Sequence, residues 1–513
     1  MNNLLLQSIK NNTYQYRTLI LSNNQYKTEE IKEIIDALKV NSFITDLNLS
    51  HNSYGYKTIK CISEVLKVNT SISKLNLTGN NIIFRIIDIN TDKPDFKRIK
   101  VLSEALKVNN TITNLNLKYN FLYDNGIKIL SEALKVNTSI TELNLSDNKI
   151  ENEGIKFLSE ALKVNNSITY LKLSSNHKVF VDENEENDDE NVYDIYYDIY
   201  IHEWLKFLSE ALKVNNSITD LNLSDNDIEN KELKFLSEAL KVNTSINKLN
   251  LLCNHIGNEG LKFLSEALKV NNSITNLNLR YNGILFCLNE INAINTLSEA
   301  LKVNTSITKL NLSDNSIKND GIKVLSEALK INNSIISLNL NNTDISNDGI
   351  NYLSEVLKSN LSITKLNLGN NFYINDMFNF FNALKNNTSI TNLDLRCNRI
   401  NNDKKIKVLS EALKVNTSIT KLNLSNNYIE NGGIKVLSEA LKVNTSITKL
   451  SLSSNKIENE GIKVLSEALK INNSITNLDL DYNNINDEGI NFLKETLKIN
   501  TSIVSLKLKC DNI

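Results

Sequence analysis

Proline is nearly missing. Pro94 is the only one in 513 residues, and glycine appears 14 times. Linkers rich in those residues are therefore unavailable, although length alone would predict about three or four domains. Charge of one sign is lacking too. The 57 basic and 59 acidic residues leave a net charge of −2, without the basic footprint that nucleic-acid binding requires. No stretch approaches the roughly 18 apolar residues of a membrane span. The three leucines of MNNLLLQSIKNN are too few for a secretory signal. A soluble, cytoplasmic chain that engages neither membrane nor nucleic acid is expected. Hydrophobic residues make up 41% of it, enough to bury a core rather than remain disordered.

Residues that carry chemistry are sparse. The five cysteines have no metal-ligand spacing, which points to free thiols in a reducing compartment. The histidines are His51, His177, His202 and His255, and none has a cysteine or second histidine at ligand spacing. His51, His177 and His255 are expected in surface loops. No G-x-x-x-x-G-K-[ST] phosphate loop occurs. Neither catalysis, metal nor cofactor is expected, so the chain does not read as an enzyme.

What is abundant is self-similarity. The block SITELNLSDNKIENEGIKFLSEALKVNN (139–166) recurs from end to end. Its L-x-L-x-x-N marker has its first leucine at 17 positions, from Leu19, Leu47 and Leu75 to Leu450, Leu478 and Leu506. The step is 28 residues nearly everywhere, but 40 after Leu75, 50 after Leu171 and 33 after Leu277. A single array over 1–513 is expected, with inserts within 83–98, 177–203 and 283–294.

Each unit has two periods. In ITELNL, Leu143 and Leu145 alternate with Glu142 and Asn144, the pattern of a short strand buried on one side. In GIKFLSEALKVN, Ile155, Leu158, Ala161 and Leu162 recur at helical spacing, with Lys156, Ser159, Glu160 and Lys163 assigned to the solvated face. Gly154 is expected to precede this helix, with Glu151 and Glu153 near its positive end. Asn165 is expected to close it in the left-handed conformation. One such unit cannot bury its own apolar face, so neighbours must stack. The fold class expected is an α/β solenoid with a parallel sheet inside and helices outside.

This pattern resembles the leucine-rich repeat family, in the ribonuclease-inhibitor-like subtype also found in the C-terminal arrays of NOD-like receptors. The resemblance implies a horseshoe of about 17 repeats with a concave parallel sheet and convex helices. It also implies that the motif asparagine (Asn24, Asn52, Asn80, Asn120, Asn148 and onward) hydrogen-bonds along the stack, a role suited to an amide. Thr343 and Asp511 depart from it. The NOD-like receptor's nucleotidase module is absent. Met1–Lys10 is expected as a partial helical cap, and no dedicated C-terminal cap is expected. Lys507 and Lys509 on the last strand discourage edge pairing. Cys253 and Cys397, five strands apart, would be ~24 Å from each other at ~4.8 Å per strand, too far for a disulfide.

With Leu143 and Leu145 in the core, positions 142, 144 and 146 face the concavity. The middle position is mostly asparagine, among them Asn48, Asn144, Asn250 and Asn339. That column is either an amide ladder awaiting a polar partner or the residue of duplication in a chain biased toward Asn, Lys and Ile. The position before it carries Asp46, Glu142 and Asp220 early, then Lys248, Lys309, Lys365, Lys421 and Lys449. Arg280 and Arg396 face the same way. The wall should grade from acidic to basic and steer an acidic partner to its C-terminal half, unless the lysines are simply solvated. Tyr119, Tyr170, Tyr281 and Tyr482 are the candidate aromatic anchors.

All three inserts fall between the motif asparagine and the helix, on one rim, at every third repeat and ~15 Å apart on the sheet side. The middle one contains DENEENDDE (182–190), followed by Tyr193, Tyr196, Tyr197, Tyr200 and Trp204. Residues 177–203 carry a net −9, which leaves +7 on the rest. Two readings stand: a self-repelling disordered loop pinned by Trp204, or a competitor for the basic wall.

The function expected is that of a non-catalytic interaction scaffold, a monomer binding an acidic protein partner through the concave face and insert-bearing rim. The resemblance implies a rival, since Ran-type GTPase activators use this repeat subtype. This chain, however, ends KLKCDNI rather than in an acidic tail, and its early units carry no arginine on the inner wall. An effector or immune-type sensor would differ only in its partner.

Overall fold

The computed structural model describes residues 2–23, 28–83, 95–177, 203–284, 292–401 and 403–509. The expectations placed on 84–94, 178–202 and 285–291, and on Cys510 and Asp511, lie outside the described residues. The chain forms two compact units, Met1–His255 and Ile256–Ile513. Among the described residues the first holds eight strands and eight helices in alternation, and the second nine of each. The fold is an α/β solenoid of strand–helix repeats. None of the described helices is long and apolar enough to cross a membrane.

Every strand has three residues with the marker leucine at its centre, from Thr18–Ile20 to Ser505–Lys507. Within each unit the strands pair in parallel with leucine opposite leucine, as in Leu115↔Leu143 and Leu422↔Leu450. Register holds across all three long steps, at Leu75↔Leu115, Leu171↔Leu221 and Leu277↔Leu310. The extra residues therefore leave the strand pairing untouched. All the central leucines except Leu506 of the last strand, which is half-buried, are buried, and their two flanking residues lie on the open face of the sheet, the alternation a strand imposes. The N-terminal helix Asn2–Lys10 buries Leu6 and Ile9 against the first repeat, as a cap should.

The helix Asn152–Leu162 buries Ile155, Leu158, Ala161 and Leu162, and with them Gly154 and Ser159. Two expectations are corrected here. Gly154 is the third residue of the helix rather than its predecessor. Ser159 lies four residues after Ile155, inside the apolar stripe, and only Glu160 of the pair reaches solvent, where it meets Lys163 at 2.6 Å. The Ser159 hydroxyl is buried without a hydrogen-bond partner among the described residues, whereas Ser63, Ser265 and Ser354 at the same position return theirs to the carbonyl four residues earlier, at 2.8, 2.7 and 2.7 Å.

Asn165 corrects a third expectation. It has no positive φ, and its counterparts Asn332 and Asn360 are extended, with ψ of 124° and 123°. The residue acts through its side chain. Asn165 Nδ2 donates to the carbonyls of Leu134 and Asn137 at 2.8 and 3.0 Å, and Oδ1 accepts the N–H groups of Ser167 and Ile168. Leu134 ends the preceding helix, so each such asparagine satisfies a carbonyl left orphaned in the unit before it. Asn137 and Asn243 do the same for Leu106 and Leu212.

A second ladder runs through the motif asparagines. Asn148 Nδ2 donates to the carbonyls of Leu117, Leu145 and Ser146 at 2.9, 3.0 and 3.1 Å, while Oδ1 accepts the N–H of Asn120 at 2.9 Å. The stack-wise role implied by the resemblance is present. Thr343 instead donates to the Leu340 carbonyl at 2.7 Å, inside its own unit.

Candidate interaction surface

The open sheet face differs between the two units at the first strand position. In the first unit it carries Asp46, Lys74, Glu142, Tyr170, Asp220 and Lys248 with Thr18 and Asn114. Its two lysines are neutralised by register neighbours, Lys74 by Asp46 at 3.3 Å and Lys248 by Asp220 at 3.1 Å. In the second unit the same position carries Lys309, Lys365, Lys421 and Lys449 among asparagines and serines, with no acid. None of these four forms an ion pair among the described residues, and all four are exposed.

The arginines behave differently. Arg280 meets Asp314 at 2.6 Å, and Arg396 meets Asp394 two residues away at 3.1 Å. Their charge is largely answered locally, so the second unit's positive face rests on lysines. Near its C-terminal strands Lys421, Lys449 and Lys507 line an open concavity of about 270 Å³, together with Asp479 and the polar Asn392, Asn423, Ser451, Asn477 and Ser505.

Tyr170 sits on a strand of the first unit, half buried, and burial raises its phenol above the ordinary value. Tyr119, Tyr281 and Tyr482 are exposed one residue before the motif asparagine. That residue has φ between 51° and 66° in all 16 units where it is described. The left-handed region suits Gly, Asn and Asp and costs bulkier residues about 1–2 kcal/mol, so these tyrosines, with Cys253 and Cys397, occupy a position imposed by the fold. Of the residues proposed from sequence, Tyr119, Tyr170 and Lys248 belong to the first unit and the rest to the second. Within the second unit, Lys421 and Lys449 are register partners.

A third column escaped the sequence reading: the residue just after the motif asparagine. Its members couple between consecutive repeats. Lys149 lies over Phe121 at 5.8 Å, Arg399 over Phe372 at 6.0 Å and Lys456 over Tyr428 at 5.6 Å. His255 meets Asp227 at 3.3 Å, and Ser316 donates to Asp344 at 2.7 Å. Reading that one position down the repeats would have exposed the alternation of aromatic and cation. His177 is in the same column, and its expected place in a surface loop is corrected. It is buried and stacks on Trp204, with ring centroids 4.3 Å apart and planes 6° from parallel.

Among the described residues no three His, Cys, Asp or Glu side chains gather as a metal-ligand set. Cys61 is buried and hydrogen-bonded to Asp36, and burial first, then that bond, pushes its thiol up to about 12.

Seven stretches, 136–159, 214–236, 242–265, 303–326, 415–438, 443–466 and 472–493, match the family described as Leucine Rich repeat. Each starts at the end of one helix, crosses a strand and enters the next helix, and the other units repeat that geometry in register. The chain is a leucine-rich-repeat protein. No curated protein sequence matches this leucine-rich-repeat chain significantly. Among solved structures it is similar to an internalin from Listeria monocytogenes, at 19% identity over 73% of this chain and 88% of that one, with a TM-score of 0.40. It is also similar to leiomodin-1 actin-binding site 2, at 26% identity over 26% of this chain and 79% of that one, with a TM-score of 0.23. Neither score bears on how these leucine-rich repeats function.

Proposed function

We propose that this leucine-rich-repeat chain is a protein-interaction scaffold without catalytic activity, and that its partner presents an acidic surface to the open sheet face of the second unit. The observation that carries this reading is the column Lys309, Lys365, Lys421 and Lys449, free of ion pairs among the described residues, where Lys74 and Lys248 of the first unit are paired. Unanswered charge of one sign draws an oppositely charged partner and favours its encounter rate. Tyr281, exposed beside Arg280, supplies amphipathic contact area of the type enriched at binding hot spots. The scaffold acts as a cytoplasmic monomer, without cofactor, nucleic acid or membrane.

Affinity capture with the intact chain, compared with Lys309→Asn/Lys365→Asn/Lys421→Asn/Lys449→Asn, tests this. The expected result is an acid-rich protein that binds the intact chain in purified form, loses affinity with added salt, and fails to bind the variant. Equal binding by the variant overturns the assignment of the face. Clear stimulation of GTP hydrolysis by a small GTPase overturns the non-catalytic reading. Deleting 180–200 asks whether the acidic insert competes for the same face: a competitor's removal tightens binding.

A further inference from the structure

Lys421 and Lys449 are direct register partners on the neighbouring strands Lys421–Asn423 and Lys449–Ser451. Adjacent strands lie ~4.8 Å apart, and like charges directly opposite on one face of a sheet destabilise it. The other register neighbours of this pair, Asn392 and Asn477, are uncharged. Lys309 and Lys365 face only Asn and Ser. Among the described residues, the Lys421–Lys449 pair is thus the one place where two first-position lysines confront each other.

Both line the concavity together with Lys507. Its single acid, Asp479, is already engaged, accepting the N–H of Asp481 and the hydroxyl of Ser451, each at 3.2 Å. Three lysines against one carboxylate leave the lining at +2. Asn477 accepts the Thr476 hydroxyl through Oδ1 at 2.9 Å, which leaves its amide N–H groups as further donors.

We propose that Lys421 and Lys449 form a clamp for a carboxylate of an acidic peptide segment lying across the strands, with Lys365 and Lys507 as flanking contacts. This rests on the docking face proposed above and names what occupies it. The elongated column favours a peptide over a compact anion. From Lys309 to Lys449 it spans five strand spacings, ~24 Å, about seven residues of extended chain. The asparagines and serines between the lysines offer hydrogen bonds to a peptide backbone.

The test is fluorescence anisotropy of the full chain with a labelled oligo-aspartate peptide of about ten residues, long enough to span the column, using oligo-serine as control. Asparagine is the replacement because it already occupies this position at Asn114, Asn276, Asn392 and Asn477, and a melting curve for each variant verifies folding. K421N/K449N is expected to weaken oligo-aspartate binding about tenfold or more, and K309N/K365N about threefold, in keeping with close charge pairs outweighing distant ones. If K421N/K449N binds no more weakly than K309N/K365N, the clamp falls, while loss in the fourfold variant preserves the docking face. If the fourfold variant binds like the intact chain, or the intact chain ignores oligo-aspartate, both fall. Displacement by inorganic phosphate at the peptide's own concentration overturns the peptide assignment in favour of a lone anion.

Discussion

Asp124 accepts the backbone N–H of Glu151 at 2.7 Å. Asp124 is the second residue of the helix Tyr123–Leu134, and Glu151 stands at the head of the next one, Asn152–Leu162. Asn319 and Asn431 do the same for Ser346 and Glu458, both at 2.9 Å, and each also accepts a glycine N–H, from Gly349 and Gly461 at 3.1 Å. These helices are therefore capped at the N-terminus by the preceding repeat, and at the C-terminus by the asparagine of the following one.

That arrangement explains the glycine inside the helix. A Cβ on Gly154 would run into the Asp124 carboxylate and come within 2.6 Å of Ile150 Cγ2. Gly154→Ala should cost about 1–3 kcal/mol through overpacking. Combined with Asp124→Ala the total loss should be smaller than the sum of the two, since the second change removes one of the colliding groups. Urea denaturation of the four proteins of this cycle measures it, and strict additivity would sink the steric account.

Asn148→Ala removes three donated bonds and leaves the Asn120 N–H buried without its acceptor. A loss of about 2–4 kcal/mol is expected from the unsatisfied buried groups. Hydrogen exchange should show it locally, with the Asn120 amide losing protection while amides near the N-terminal helix keep theirs. Asn148→Thr should be milder, because Thr343 already fills this position with one bond of its own.

Glu232 occupies the place that Gly154 holds in its own repeat, and it is buried. Burial pushes its carboxyl up to about 7, and the nearby Glu229 and Asp227 add to the rise, while the Glu229 N–H bonded to it and Lys231 oppose it. A carboxyl raised in the folded state favours folding while protonated. That contribution is present in full below the unfolded value near 4.5 and is lost as pH rises through about 7. The loss amounts to about 3 kcal/mol. Melting temperature should therefore fall between those two pH values, and Glu232→Gln should flatten the fall. Identical pH profiles for the two proteins would contradict the assignment.

Lys449→Glu should replace a like-charge pair by one resembling Lys248–Asp220. A gain of about 0.2–1 kcal/mol is expected from the cross-strand pair, seen as a higher melting temperature that shrinks with salt. A lower melting temperature in dilute buffer would count against repulsion between Lys421 and Lys449.

The strand, the helix and their register were legible in the sequence because Leu143, Ile155, Leu158 and Leu162 repeat with two clean periods. The motif asparagine was legible through resemblance. What escaped depends on contacts between repeats. The purpose of Gly154 cannot be seen without Asp124 one unit earlier, nor that of Asn165 without Leu134. His177 looked like a loop residue because its partner, Trp204, follows 27 positions later, across an insert. In the candidate site the lysine positions could be read from spacing. Their division into paired and unpaired sets could not, because it depends on which residue the neighbouring repeat places alongside.

The unchanged strand pairing at Leu75↔Leu115, Leu171↔Leu221 and Leu277↔Leu310 separates two kinds of sequence change in this chain. Between the motif asparagine and the following helix, these three units take up extra length without shifting their strands, so foreign loops could be grafted there and presented from a fixed framework. Between the helix end and the next leucine, where Asn165 must meet Leu134 and Ile168 must reach the core, a single added residue would shift side chains between the buried and open faces. Sites for engineering new recognition loops are thus the three insert-bearing repeats, in the segment between the motif asparagine and the helix.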